Sequence, residues 1–298
     1  MIKKLVKTDT TEEREDEIMK KRYITIITLC MIIALLLTGC MLQRGESGTA
    51  EVQISTAGNS TAPDNPEQNT DKEESAEPQA ENPYGIDPAK PMVALTFDDG
   101  PSQHTWNIVS TLQSYKARAT FFIIGNQVAT HEAAIDYILA NHNEIASHSF
   151  GHKNLTKLSD VEVVNQIRPV DAALLEQHDY IPVMYRVPYG SRDERVLEIL
   201  KQEGKPVIGW SVDPYDWKVK DKDTIVNHVL NSVKDGDIVL MHDIYEPTAQ
   251  AVAELVPALQ EKGYQIVTVS ELFQFRGVTP EPGVYYKYVP PVKEDEAA

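Results

Sequence analysis

Between about residues 90 and 276, short runs of β-branched and aromatic residues alternate with helix-length amphipathic segments, and this alternation restricts the fold more than any other feature of the chain. Seven apolar runs stand out: VALTF, ATFFIIG, EIASHS, VMYRV, VIGWSV, IVLMH and QIVTVS. Between them lie stretches such as TWNIVSTLQSYK, AAIDYILANH, RVLEILKQEG and AVAELVPALQEKG, whose apolar residues recur at helical spacing. Strands joined through helices must cross over the sheet, so they run parallel. The expected architecture is α/β, a (β/α) barrel of about seven parallel strands, with a doubly wound open sheet as the rival that periodicity does not exclude. In either arrangement ligands gather at the C-terminal ends of the strands.

The flanks read differently. Lys20, Lys21 and Arg22 precede an uncharged, mostly apolar run, Tyr23 to Leu37, which is short for a membrane span and typical of an export signal. The segment closes on LTGC, resembling the bacterial lipoprotein cleavage box, so residues 1–40 are expected to be a lipoprotein signal peptide with Cys40 as the lipid-bearing residue. Cys30 lies inside the apolar run, so the rest of the chain holds neither a disulfide nor a thiolate metal ligand. Residues 41–83, rich in Ser, Thr, Pro, Asn, Gln and Glu, contain no aromatic residue and are expected to be a disordered tether. A domain follows over 84–276, and 277–298 forms a tail that docks or frays. Location at the extracellular face of the membrane is expected, by lipid anchor or by an uncleaved signal anchor. The net charge of −17 makes nucleic acid a poor partner and leaves neutral polysaccharide a better one; a monomer is expected.

The unusual residues cluster where the strands end. The first run stops at Asp98 and Asp99, then Gly100 and Pro101; SHSFGH carries His148 and His152; RVPYG, DPYDW and LMHD follow the later runs. One such cluster is an ordinary polar turn. Several on one edge of a sheet mark an active site. Two histidines four residues apart can face one point, and a carboxylate from another strand would complete a set suited to a divalent transition metal. His104, His131, His142, His178 and His228 lie in or beside helical segments and are read as capping or surface residues.

In TFDDGP, HSFGH, RVPYG, DPYDW and LMH, the chain resembles the polysaccharide deacetylases of carbohydrate esterase family four over roughly residues 90 to 275. The resemblance implies a distorted (β/α) barrel and metal-dependent removal of acetyl groups from N-acetylated sugars, with O-acetyl removal in some members. Carried onto these positions, it makes Asp98 the general base, and Asp99, His148 and His152 the metal ligands, with Zn or Co as the expected ion. It implies His242 as the acid that protonates the departing amine and the Tyr189 backbone N–H as an oxyanion donor. Arg186 would pair with Asp98, and a carboxylate of DPYDW, Asp216 in preference to Asp213, would hold His242. Trp217, Leu240 and Asp213 are expected on the substrate side. Ser147 stands where the family often has Asn, and Val187 where it often has Pro; neither is a ligand or a proton carrier.

The expected substrate is N-acetylglucosamine in peptidoglycan or chitin-type oligosaccharides. An O-acetyl esterase acting on xylan-like glycans is one alternative. A glycan-binding lipoprotein without turnover is another, although such a protein would be expected to lose Asp98 or His242, and both are present.

Overall fold

A computed structural model describes residues 82–291. The expected signal segment, Cys40 and nearly all of the tether lie outside the described residues. The strands are β1 (Met92–Asp98), β2 (Thr120–Ile123), β3 (Glu144–Ser147), β4 (Val207–Ile208), β5 (Ile238–His242), β6 (Gln265–Val267) and β7 (Tyr285–Tyr286). The helices are α1 (Thr105–Ser114), α2 (Glu132–Ala140), α3 (Asp160–His178), α4 (Glu194–Gln202), α5 (Asp216–Val219), α6 (Lys222–Ser232), α7 (Glu246–Glu261) and α8 (Val269–Phe275). Their starts follow local chemistry: Ser159 and Glu162 form a capping box at α3, Thr268 and Glu271 another at α8, and the Asp193 carboxylate accepts the Val196 N–H at α4.

β1 is buried along its whole length and organises the barrel. β5 pairs with it along Ala94–Asp98, while β2 pairs with Thr96–Asp98 and β6 with Met92–Ala94. Ala94 pairs with β5 and β6, and Thr96 with β5 and β2, so β2 and β6 share the edge opposite β5. Successive side chains of a strand point to opposite faces. Val93, Leu95 and Phe97 pack outward with Ile108, Leu112, Val252 and Leu255 of the helices; Met92 and Ala94 pack inward with Phe122, Ala146, Met184, Ile208 and Ile238. Each large apolar side chain removed from water contributes about 1.5–3 kcal/mol. The same alternation puts Asp98 on the inward face of β1, and His242, two residues beyond Leu240 and four beyond Ile238, on the inward face of β5.

The barrel is distorted in its second half. The run VMYRV, expected as a strand, contributes only Tyr185, which bridges to Ser147 on one side and Val207 on the other. The stave is short because the chain turns at Pro188 into a 3-10 turn, Pro188–Gly190. Past β4 the chain swings away to pair Val212 with Val239 of β5, leaving a seam at the lower end. The C-terminal segment fills it. β7 pairs in parallel with β4, Tyr288 bridges to Asp237 at the start of β5, and Val289 is buried. The packed chain thus continues well past residue 276. Close approach here needs glycine, because a Cβ on Gly209 would lie 2.1 Å from the Tyr285 hydroxyl. Among the described residues no helix is long and apolar enough to cross a membrane.

Candidate active site

A cavity of about 390 Å³ opens at the C-terminal ends of the strands. Asp98, Asp99, His148, His152, Tyr189, Asp213, Trp217, Leu240 and His242, all of them candidates on sequence grounds, line it. Arg186 and Asp216 lie fully buried behind the wall. Val187, Trp210 and Tyr245 also line it, although the motifs alone give them no role at the site. Trp210 and Tyr245 lie just outside the motif clusters, and an aromatic residue beside a strand end is the signal that could find them. Of the histidines read as capping or surface residues, none lines the cavity, and His178 pairs with Asp136 at 2.7 Å.

Asp98 sits deep in the wall, where burial alone would raise its pKa. The Arg186 guanidinium outweighs that cost, together with His148 and His242, and holds the carboxyl below the usual range. Arg186 Nη1 donates to Asp98 Oδ1 at 2.6 Å and to Thr96 Oγ1 at 2.8 Å; Nε and Nη2 donate to the carbonyls of Ile208 and Gly209 at 3.1 and 2.9 Å. The guanidinium carbon also lies 3.8 Å from the centre of the Phe122 ring. Four of the five guanidinium N–H groups are thus bonded, which fixes Asp98 through the arginine.

Asp99, the next residue, has a left-handed backbone, with φ 72°. A non-glycine residue there is strained, and such strain concentrates at functional sites. Ser149, His152, Tyr189 and Tyr215 share the conformation, with φ of 68°, 51°, 61° and 57°. The turn admits only glycine after Asp99: a Cβ on Gly100 would fall 2.1 Å from the buried Asp243 carboxylate. Asp243 is held by the Thr105 hydroxyl, and its pKa is pushed up to about 7 by burial.

Asp99 Oδ1 lies 3.6 Å from His148 Nε2 and 3.2 Å from His152 Nε2, and the three ligand atoms fall within 4.8 Å of one another. His148 Nδ1 lies 2.8 Å from the Arg186 carbonyl, which can only accept; Nδ1 therefore carries a proton and Nε2 is the nitrogen turned toward the cluster. Asp99 Oδ1 is buried without a hydrogen-bond partner. An orphaned carboxylate oxygen beside two imidazoles, with no thiolate, fits a divalent cation.

On the neighbouring strand His242 Nδ1 donates to Asp216 Oδ1 at 2.8 Å. Asp216 also accepts the N–H of Trp217 at 2.8 Å, the N–H of His242 at 2.7 Å and the Thr248 hydroxyl at 2.8 Å. Burial opposes charge on His242, but Asp216, helped by Asp98 and Asp99, raises its pKa to about 9. Between the two carboxylates of DPYDW, Asp216 therefore holds the histidine. Asp213 lines the cavity, where burial raises its pKa and the Tyr215 N–H binds its side chain.

The polysaccharide deacetylase profile matches residues 85–208. The peptidoglycan-N-acetylglucosamine deacetylase of Bacillus cereus is 36% identical over 191 residues, covering 62% of this chain and 89% of the relative. The chain belongs to the polysaccharide deacetylase family. Another family member, the peptidoglycan-N-acetylmuramic acid deacetylase PdaC of Bacillus subtilis, is 40% identical over 188 residues, covering 63% of this chain but only 40% of that protein. Among solved deacetylase-family structures, a family 4 acetyl xylan esterase from Clostridium thermocellum in complex with a cobalt ion is similar, with a TM-score of 0.63 and 28% identity. That match covers 67% of this chain and 99% of the esterase.

Proposed function

We propose that the domain is a metal-dependent polysaccharide N-deacetylase acting on N-acetylglucosamine residues of peptidoglycan or chitin-type oligosaccharides. The observation that carries this reading is a division of labour between neighbouring strands. Asp98, kept ionised by Arg186, ends β1, and His242, kept charged by Asp216, ends β5 beside it. A base that is already a carboxylate and an acid that is already an imidazolium are the protonation states that amide hydrolysis requires.

A divalent cation held by Asp99, His148 and His152, with Zn favoured and Co as the substitute, would supply Lewis acidity at the acetyl carbonyl and the attacking water. Asp98 takes the proton that water loses as it attacks. The backbone N–H of Tyr189 donates to the oxyanion as the carbonyl carbon becomes tetrahedral. His242 then gives its proton to the nitrogen, because an amide anion is too poor a leaving group, and the C–N bond breaks to yield acetate and the free amine. Leu240, nearly buried, offers an apolar surface to the acetyl methyl, and the half-exposed Trp217 a flat face to the sugar.

The anchor belongs to the same reading. Lipid on Cys40 and a flexible tether of some forty residues, with an end-to-end distance of about 35 Å, would hold a monomeric domain on the outer membrane face within reach of the wall. The deciding assay compares amine release from an N-acetylated oligosaccharide with acetate release from an O-acetylated xylan. Preference for the second would replace this reading with the esterase one.

A further inference from the structure

A second cavity of about 490 Å³ adjoins the first and shares His152 and Tyr189 with it. Its remaining lining is Lys153, Asn154, Lys157 and Leu158. Lys153 follows the ligand His152 directly, and Lys157 closes the 3-10 turn Leu155–Lys157, so one short segment carries both ammonium groups to the rim of the active site. Both lysines are exposed. Neither takes part in an ion pair among the described residues. The acids that follow are already engaged: Asp160 pairs with Arg195 at 2.8 Å, and Glu162 accepts the N–H and hydroxyl of Ser159 at 2.9 and 2.7 Å, with Lys153 only a long-range influence on its charge. What sets these two cations apart is their place, side by side on one concave surface that adjoins the catalytic cavity. They suit an anionic group on the substrate.

The Tyr189 ring stands between this shelf and the catalytic cavity, lining both. An anionic substituent carried next to the reacting sugar would meet the shelf on the far side of that ring. That ring packs edge-on to His152 with centroids 4.6 Å apart, so the shelf begins about one side chain from the cation site. A neighbouring sugar of the bound glycan spans such an interval.

We propose that Lys153 and Lys157 bind a carboxylate carried by the sugar next to the N-acetylglucosamine being deacetylated, so that the domain selects glycans in which neutral and carboxylated sugars alternate. The inference rests on the deacetylase reading of the site and names its preferred substrate class. In wall glycan the carboxylate is the lactyl ether of muramic acid when the peptide is absent, or a carboxylate of the attached peptide when it is present. Chitin offers neither.

The test uses three peptide-free probes: a chitooligosaccharide, an oligomer of alternating N-acetylglucosamine and N-acetylmuramic acid, and the same oligomer with its lactyl carboxyls reduced to alcohols. A fourth probe carries the peptide and separates the two carboxylate sources. Binding is measured by calorimetry for the wild-type protein, for Lys153→Gln/Lys157→Gln, and for Lys116→Gln/Lys234→Gln, which removes the same charge near the starts of β2 and β5. Exposed ion pairs of this kind contribute little individually, so the shelf variant should bind the carboxylated oligomer roughly two- to tenfold more weakly. The reduced oligomer and the chitooligosaccharide should be unaffected, and the remote variant should bind all probes as the wild type does. Turnover should show the same discrimination in KM, with kcat preserved. Equal binding of carboxylated and reduced oligomers by the wild type, or the same loss on every probe, would overturn the proposal. Selective binding without amine release from any probe would overturn the deacetylase reading and leave the shelf standing.

Discussion

Asp98 and His242 are register partners on adjacent parallel strands, the last residues of β1 and β5. The proposed base and acid are therefore placed by the sheet itself and face the cavity because both fall on the inward parity of their strands. Arg186 and Asp216, each buried and each making four hydrogen bonds, then set their charge states from behind.

Asp98→Asn and His242→Ala should each lower kcat by ~10² to 10⁴, the range for losing one general base or acid, while binding of the cation persists. Steady-state kinetics together with metal content measures this. Near-normal turnover in either variant would show that the proton moves by another route.

In the cation-free protein, NMR titration of the His242 ring should give a pKa of about 9. Loading the cation should lower it, since it offsets the carboxylates of Asp98 and Asp99. Asp216→Asn removes the main influence that raises it and leaves burial opposed only by Asp98 and Asp99, so the pKa should fall well below the wild-type value. For stability the sign is that of a raised histidine. The stabilisation from the pair is complete below about 6.5 and is lost as pH rises through about 9. Denaturation midpoints across that interval should decline in the wild type and show no such decline in Asp216→Asn.

Chelation should abolish turnover, and Zn²⁺ or Co²⁺ should restore it. Independently of activity, added Zn²⁺ should raise the thermal midpoint of the wild type through binding to the native state, and His148→Ala should lose that response. A midpoint insensitive to metal in the wild type would argue against the cation site.

Gly100→Ala should weaken cation binding and cost about 1–3 kcal/mol in stability, because its methyl group collides with Asp243 and must displace the turn that carries Asp99. Adding Asp243→Ala should recover part of both losses. If the single variant binds metal normally, the packing of Asp243 on Gly100 does not position the ligand.

Cys40→Ala should abolish incorporation of labelled lipid and leave the precursor unprocessed. A variant with the same lipid content as the wild type would replace the lipoprotein reading with an uncleaved signal anchor.

Much of this organisation is written locally. The alternation within VALTF by itself distinguishes an inward from an outward face, and Asp98 continues it; His242 continues IVLMH in the same way. The choice between Asp213 and Asp216 is different in kind. Both follow the run VIGWSV within four residues, and only the left-handed turn at Tyr215 decides which carboxylate reaches the histidine. The apolar run around Tyr185 has the composition of a full strand because composition reports burial, whereas pairing length depends on where the chain turns away, here at Pro188. The partner of β4 is illegible for a related reason. A two-residue strand has no periodicity to detect, and its site is a gap created by distant parts of the chain.

That gap gives the C-terminal segment a role in the order of assembly. Arg186 is held by the carbonyls of Ile208 and Gly209, and the backbone at both positions is pinned from its other edge by Tyr286. The wall behind the first catalytic carboxylate is therefore finished by residues almost two hundred positions later in the chain. Contacts of such separation form late, after the costliest loop closures. A nascent chain halted before residue 284 would carry every catalytic side chain and still lack the stave that steadies the arginine.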